Sequence, residues 1–175
     1  IVAEAISDLK PARLSRGTGF APFVMNRREF TPTGVRLGNN LRGLADRSVP
    51  VLRVDDPDGK LRAVVFGAAA HNTTLTGQHF VISGDYAGYA QHHIEEQHPG
   101  ALAMFVLGCA GSANPYPRGS TEDVRVHGAT LGTEVCRVLD EKLDPVSGPR
   151  TTLLERVDIR LQPIPEKAEI ERLSR

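Results

Sequence analysis

The sequence predicts an α/β fold: a mixed, partly parallel sheet with flanking helices. Three observations carry this expectation. From residue 61 to residue 161 the patterning runs strand, helix, strand, helix, strand, the order that builds an α/β layer with parallel pairing. Two β-rich runs, 49–54 and 61–66, flank Asp58-Gly59, a strong hairpin signal that makes them antiparallel neighbours and the sheet mixed. The run ALAMFVL at 101–107 is continuously apolar, as in a strand buried on both faces of a sheet.

Composition bounds the rest. A chain of 175 residues with 40% hydrophobic content is the size of one domain. The 21 basic and 21 acidic residues balance, which leaves no electrostatic footprint for nucleic acid or an anionic membrane. The longest apolar runs, 63–70 and 101–107, fall far short of the roughly 20 residues that span a bilayer. Cys109 and Cys136 make neither a disulfide framework nor a metal-binding spacing. The chain begins at Ile1 without an initiator Met and stops at Arg175 within a helical pattern. Residues 1–175 therefore read as part of a single α/β domain of catalytic type, incomplete at both ends.

Taken in order, Val2, Ala5, Ile6 and Leu9 recur at helical spacing and are stopped by Pro11. Gly, Pro and Ser break any helix between 12 and 23, leaving at most a short strand at 12–15. Asn26-Arg27-Arg28 follows; adjacent arginines suit a solvated surface, or a rigid fork of donors for a carbonyl, carboxylate or phosphate. Beyond the hairpin, Tyr86, Tyr89, Ala90, His93, Ile94 and Gln97 share a helix face, with Asp85 or Ser83 as N-cap. His92, His93 and His98 belong to that helix as surface or partly packed residues, because adjacent histidines point to different faces. Pro99-Gly100 ends it. A capping-box pattern at Ser120-Thr121-Glu122-Asp123 opens the clearest helix, with Val124, Gly128, Leu131, Val135 and Val138 along one stripe. Val157, Ile159 and Leu161 alternate with Arg156, Asp158, Arg160 and Gln162 as in a half-exposed strand, and Pro165 opens a last helix.

Chemistry concentrates in two loops. The strand at 63–66 runs through small residues to His71, and a Thr/Gly/Ser-rich loop leads on to Asp85. A second small-residue loop, 108–115, follows the strand at 101–107. If these strands are parallel, both loops open on one edge of the sheet. Together they would hold a histidine for metal binding or proton transfer, an aspartate to orient it, and amides near Gly111 for an oxyanion. A histidine that packs, an aspartate that caps and a tight turn explain the same residues without chemistry.

Asn26-Arg27, Phe66 with Ala70-His71 and 73–75, Ser83-Gly84-Asp85 with Gly88-Tyr89, and the loop from Gly111 to Asn114-Pro115 together resemble the neutral/alkaline (non-lysosomal) ceramidase family, over residues 26–118. The resemblance implies a zinc-dependent amidase domain that cleaves the N-acyl bond of ceramide. His71 matches a zinc histidine of the family and Arg27 an arginine near the substrate, while the other metal ligands would lie outside 1–175. The family's Gly-Asp-x-Ser-Pro motif stands here as Gly111-Ser112-Ala113-Asn114-Pro115, with Ser112 at the acidic position and Asn114 at the serine position. The expected site is thus His71 for the metal, Arg27 and Gly111 for the substrate, and Asn114, Ser112 and Asp85 for catalysis. The substrate would be a ceramide-like N-acyl lipid or another small amide. A secreted, periplasmic or membrane-associated setting is suggested by the resemblance alone. Two other readings compete: a serine hydrolase using Ser112, Asp123 and His127, and a non-catalytic binding or scaffold domain of the same fold.

Overall fold

The computed structural model describes residues 1–149, 151–161 and 163–173. Its elements in order are α1 (Val2–Ser7), β1 (Arg13–Phe20), β2 (Val24–Thr31), β3 (Gly34–Asn40), β4 (Ser48–Asp55), β5 (Leu61–Ala68), α2 (Asp85–Gln97), β6 (Leu102–Leu107), β7 (Ala113–Pro115), α3 (Thr121–Leu139), β8 (Asp144–Pro145) and α4 (Lys167–Leu173). One sheet has five strands in the order β6-β5-β4-β1-β8, and a smaller one has three in the order β3-β2-β7. β4 and β5 pair antiparallel across the Asp58-Gly59 turn, where Gly59 takes φ +87°, a conformation open to glycine. β5 and β6 pair parallel, Ala63 opposite Leu102 through Ala68 opposite Leu107. The mixed, partly parallel sheet with flanking helices is therefore as expected.

Alternation along the strands sends Val49, Val51, Val64, Phe66 and Ala103 to one face, where all are buried. Ile94 from α2 and Leu131, Val135 and Val138 from α3 complete that core. α3 starts on a true capping box, with Ser120 Oγ accepting from the Asp123 amide at 3.0 Å while Asp123 accepts from the Ser120 amide at 3.1 Å. β6 is an edge strand, and α2 covers part of its free edge with side chains. Gln91 donates to the Ala103 carbonyl at 2.8 Å and Glu95 accepts from the Ala103 amide at 3.0 Å.

Several expectations need correction. The strand at 12–15 extends to Phe20, because Gly17 and Gly19 lie under Val138, Leu143 and Glu134 and leave room for α3 to pack closely. β6 is buried on one face only: Leu102, Met104 and Val106 are 55%, 40% and 56% exposed. The first turn of α2 is flanked by Gly84 at the N-cap position, with no side-chain cap, so neither Asp85 nor Ser83 occupies it. No strand forms at 151–161, and Val157, Ile159 and Leu161 are exposed. Alternation makes a strand only where a partner ladder exists, and here none is paired with it. Gln162 of that pattern and Arg175 lie outside the described residues. α1 and α4 form as expected, and neither buries a residue.

Candidate active site

β5 ends at Ala68, and three more residues bring the chain to His71 beyond the strand's carboxyl end. β6, parallel to it, delivers the second loop to the same edge, as Gly108 donates to the Ala68 carbonyl at 3.0 Å. The two loops are then stitched together: His71 N–H donates to the Ala113 carbonyl at 3.2 Å and Gly119 N–H to the Thr74 carbonyl at 2.9 Å. β7 pairs antiparallel with β2, Met25 opposite Asn114 and Asn26 opposite Ala113, which sets Arg27 directly beside the loop. Topology thus assembles three segments distant in sequence.

The guanidinium of Arg27 grips the Gly111 carbonyl, with Nε at 3.3 Å and Nη2 at 3.1 Å, and Arg28 Nη2 donates to the same oxygen at 3.1 Å. Gly111 therefore offers its carbonyl to the two arginines. Asn114 is buried. In one amide orientation its Oδ1 accepts long bonds from Arg27 Nη1 and Thr73 Oγ1, both 3.4 Å. In the flipped orientation the oxygen accepts from Arg118 Nη1 at 2.9 Å and the NH2 donates to the Ala113 carbonyl at 3.1 Å. We adopt the flipped form, whose bonds are shorter and properly matched in donor and acceptor. The second N–H of Asn114 then lies near the Thr73 hydroxyl, which can accept, and beside the Arg27 guanidinium.

His71 is half-buried, and its Nε2 is shielded from solvent with no partner among the described residues. Burial, reinforced by the positive charge of Arg27, holds its pKa below the ordinary imidazole value. Behind it, the fully buried Tyr86 donates its hydroxyl to the Ala70 carbonyl at 2.5 Å, and burial pushes that phenol well above the usual range. The residue before the histidine is thereby pinned. Asp85 is buried and holds the loop by accepting from the Leu75 amide at 3.0 Å and the Tyr86 amide at 2.7 Å. It sits at φ +50°, and its hydrogen bonds go to the loop backbone, so its place is that of a loop clamp.

Ser112 is exposed, in a single 3-10 turn at Ala110–Ser112. The serine-hydrolase set is not assembled. Asp123 is committed to Ser120 in the capping box, while His127 is buried, stacks on Phe23 at 4.6 Å and bonds the Pro117 carbonyl through Nε2 at 2.6 Å. Arg118 is a site residue that sequence reasoning passed over. It is the only charged residue in the 108–120 loop, which was the available signal.

Zinc, which the resemblance implies, can be tested against these residues. The unpaired, buried Nε2 of a histidine held in neutral form is a fitting ligand atom. Among the described residues, however, no group of three or more His, Cys, Asp or Glu side chains converges, so they supply one donor and not a complete set.

Fold and site define an α/β domain with a histidine, arginines and an asparagine gathered at the carboxyl ends of two parallel strands. Within that class the chain is similar to part of the neutral ceramidases. No family model matches it. It is 33% identical to neutral ceramidase B of Dictyostelium discoideum over 84 residues, covering 43% of this chain and 12% of that protein. The crystal structure of neutral ceramidase from Pseudomonas aeruginosa matches with a TM-score of 0.68 and 22% identity, over 85% of this chain and 26% of that one. A structure described as ceramidase complexed with C2 matches with a TM-score of 0.69 and 22% identity, over 84% and 25%. This chain thus spans an eighth of the curated relative's length and a quarter of the solved chains'. Among the described residues no helix is long and apolar enough to cross a membrane.

Proposed function

We propose that this chain carries part of the active site of a ceramidase-like amidohydrolase, which hydrolyses the N-acyl amide of a ceramide-like or other N-acyl substrate. The observation that carries the reading is the meeting of His71, Arg27 and Asn114 over the ends of β5 and β6, with the His71 Nε2 buried and unpaired. His71 would contribute one ligand to zinc, the others coming from residues outside 1–175. Bound zinc supplies a water of lowered pKa and polarises the substrate carbonyl. The chain's own residues do the rest. Tyr86 and the Ala113 carbonyl hold the two ends of the peptide unit that leads into His71, and the lowered pKa favours the unprotonated imidazole. The second N–H of Asn114, with the Arg27 guanidinium beside it, suits the oxygen that becomes anionic as the amide carbon turns tetrahedral. Asp85 keeps the 72–84 loop from collapsing onto that position.

The test uses the full-length protein, assayed for zinc content and for hydrolysis of short N-acyl sphingosines and N-acyl amino acids. His71→Ala is expected to lose most of the metal and the hydrolysis, and full zinc occupancy with normal turnover in that variant overturns the reading. Asn114→Ala should slow turnover by about 10²-fold or more with metal content unchanged. A second reading, a binding domain of the same fold without catalysis, is favoured by the exposure of Ser112 and by asparagine at the serine position. Metal-loaded protein that turns over neither substrate would support it.

A further inference from the structure

Between β2, β3 and the two loops lies a cavity of about 410 Å³ whose walls include Arg27, Thr73, Asn114 and Arg118, with residues 37–39 of β3 on its far side. Two guanidiniums face it, and a third, that of Arg28, bonds the Gly111 carbonyl that Arg27 also holds. The partners found for these arginines are uncharged: the Gly111 carbonyl and the Asn114 amide. Nearby carboxylates are used elsewhere, Glu29 of β2 by Arg36 and Asp85 by the Leu75 and Tyr86 amides. Arg118 also keeps its Nε buried with no partner among the described residues. A shielded guanidinium N–H without an acceptor is a costly arrangement unless something fills it.

A neutral amide does not require this. One developing oxyanion is served by Asn114 and Arg27, and Arg118 remains as a second fork of donors with the geometry that suits a planar anion. Resting on the amidohydrolase reading above, we propose that the cavity binds a carboxylate of the substrate, so that the amide presented for hydrolysis is that of an N-acyl amino acid rather than of a neutral N-acyl alcohol. Arg118 would be the specificity-determining residue, with Arg27 shared between the carboxylate and the amide oxygen.

The test compares two probes that differ in one group, N-octanoylglycine and its neutral isostere N-octanoylglycinamide, titrated into the full-length protein by calorimetry. The acylglycine should bind at least about tenfold more tightly, since charge-assisted bonds to a shielded guanidinium exceed neutral ones. Arg118→Gln should erase the preference, and Arg118→Lys, which keeps the charge without the fork, should retain part of it. Equal affinity of the two probes in the unsubstituted protein overturns the proposal, and that comparison needs no variant to fold. A preference that survives in the Arg27→Gln, Arg118→Gln double variant also overturns it. Inorganic phosphate is the control for a free-anion site, and displacement of the acylglycine by phosphate at equal affinity counts against a substrate carboxylate. Hydrolysis is measured separately. Carboxylate preference without turnover of either probe retires the amidase reading and leaves this one standing, whereas turnover of both with equal kcat/KM does the reverse.

Discussion

The two faces of the five-stranded sheet are made from the same kind of residue and end in different states. On one face Val49, Val51, Val64, Phe66 and Ala103 stand under α2 and α3 and are at most 2% exposed. On the other, Leu102, Met104 and Val106 of β6 sit beside Ala63, Val65 and Gly67 of β5, followed by Val54, Leu52 and Pro50 of β4. That face is no less apolar, yet Leu102 and Val106 are more than half exposed, and an open groove crosses it from Arg16 to Gly108. Burial in this molecule is decided by whether a helix stands over a strand, not by how apolar the strand is. The site belongs to the covered side's logic: it is rigid because Tyr86 and Phe23, both in the helical layer's core, hold the loops above it.

The sharpest way to break the comparison is to remove a side chain from the covered face. Phe66 is 1% exposed and contacts Phe105 edge to face at 5.6 Å, so Phe66→Ala should cost about 3 to 5 kcal/mol, read as a lowered urea midpoint at unchanged slope. A loss under 1 kcal/mol would mean that this face is far looser than drawn. A smaller effect is expected from adding an atom between the helices. A Cβ at Gly128 would stand 2.3 Å from the Tyr89 Cβ and 2.9 Å from the Tyr86 carbonyl, so α2 and α3 could remain in place only by moving apart. Gly128→Ala should therefore destabilise by about 1 to 3 kcal/mol despite alanine's better helix propensity. Stabilisation, the outcome propensity alone would give, would show that α2 and α3 do not touch there.

The difference between the faces also explains what could be read from the sequence. Local signals were legible: the Asp58-Gly59 hairpin, the capping box at Ser120, the α3 stripe and the parallel pairing implied by strand, helix, strand. Signals that depend on a distant partner were not. Gly17 and Gly19 look like breakers in the sequence, and only the approach of Val138 shows why β1 needs them. The run 101–107 looks buried on both faces because periodicity counts apolar residues and cannot see the layer above them. Val157, Ile159 and Leu161 alternate as a strand would, yet no neighbour pairs with them. At the site, His71 and Asn114 were legible as residue types in small-residue loops, and Arg27 as one of two adjacent arginines. Arg118 was not, since the turn that brings it back against Asn114 is held by distant carbonyls, those of Phe23 on the Tyr116 amide and Thr74 on the Gly119 amide.

The smallest expected effect on stability lies on the open face, and it is the one that tests the comparison most directly. Met104 is 40% exposed and points away from both helices, because its partner in register is Val65, on the face opposite Phe66. Glutamine has nearly the same shape, so Met104→Gln changes polarity and little else, and it adds a polar group where water already reaches. The unfolding free energy of the 175-residue chain should move by no more than about 0.5 kcal/mol. Self-association should fall at the same time, since an exposed apolar sheet face beside a free edge is a surface on which copies gather. Sedimentation measured across a range of concentrations, alongside urea melts at the lowest of them, separates the two quantities. If Met104→Gln instead lowers stability by 2 kcal/mol or more in dilute solution, the side chain is leaving a packed environment. The two faces would then both be covered, and their contrast would vanish.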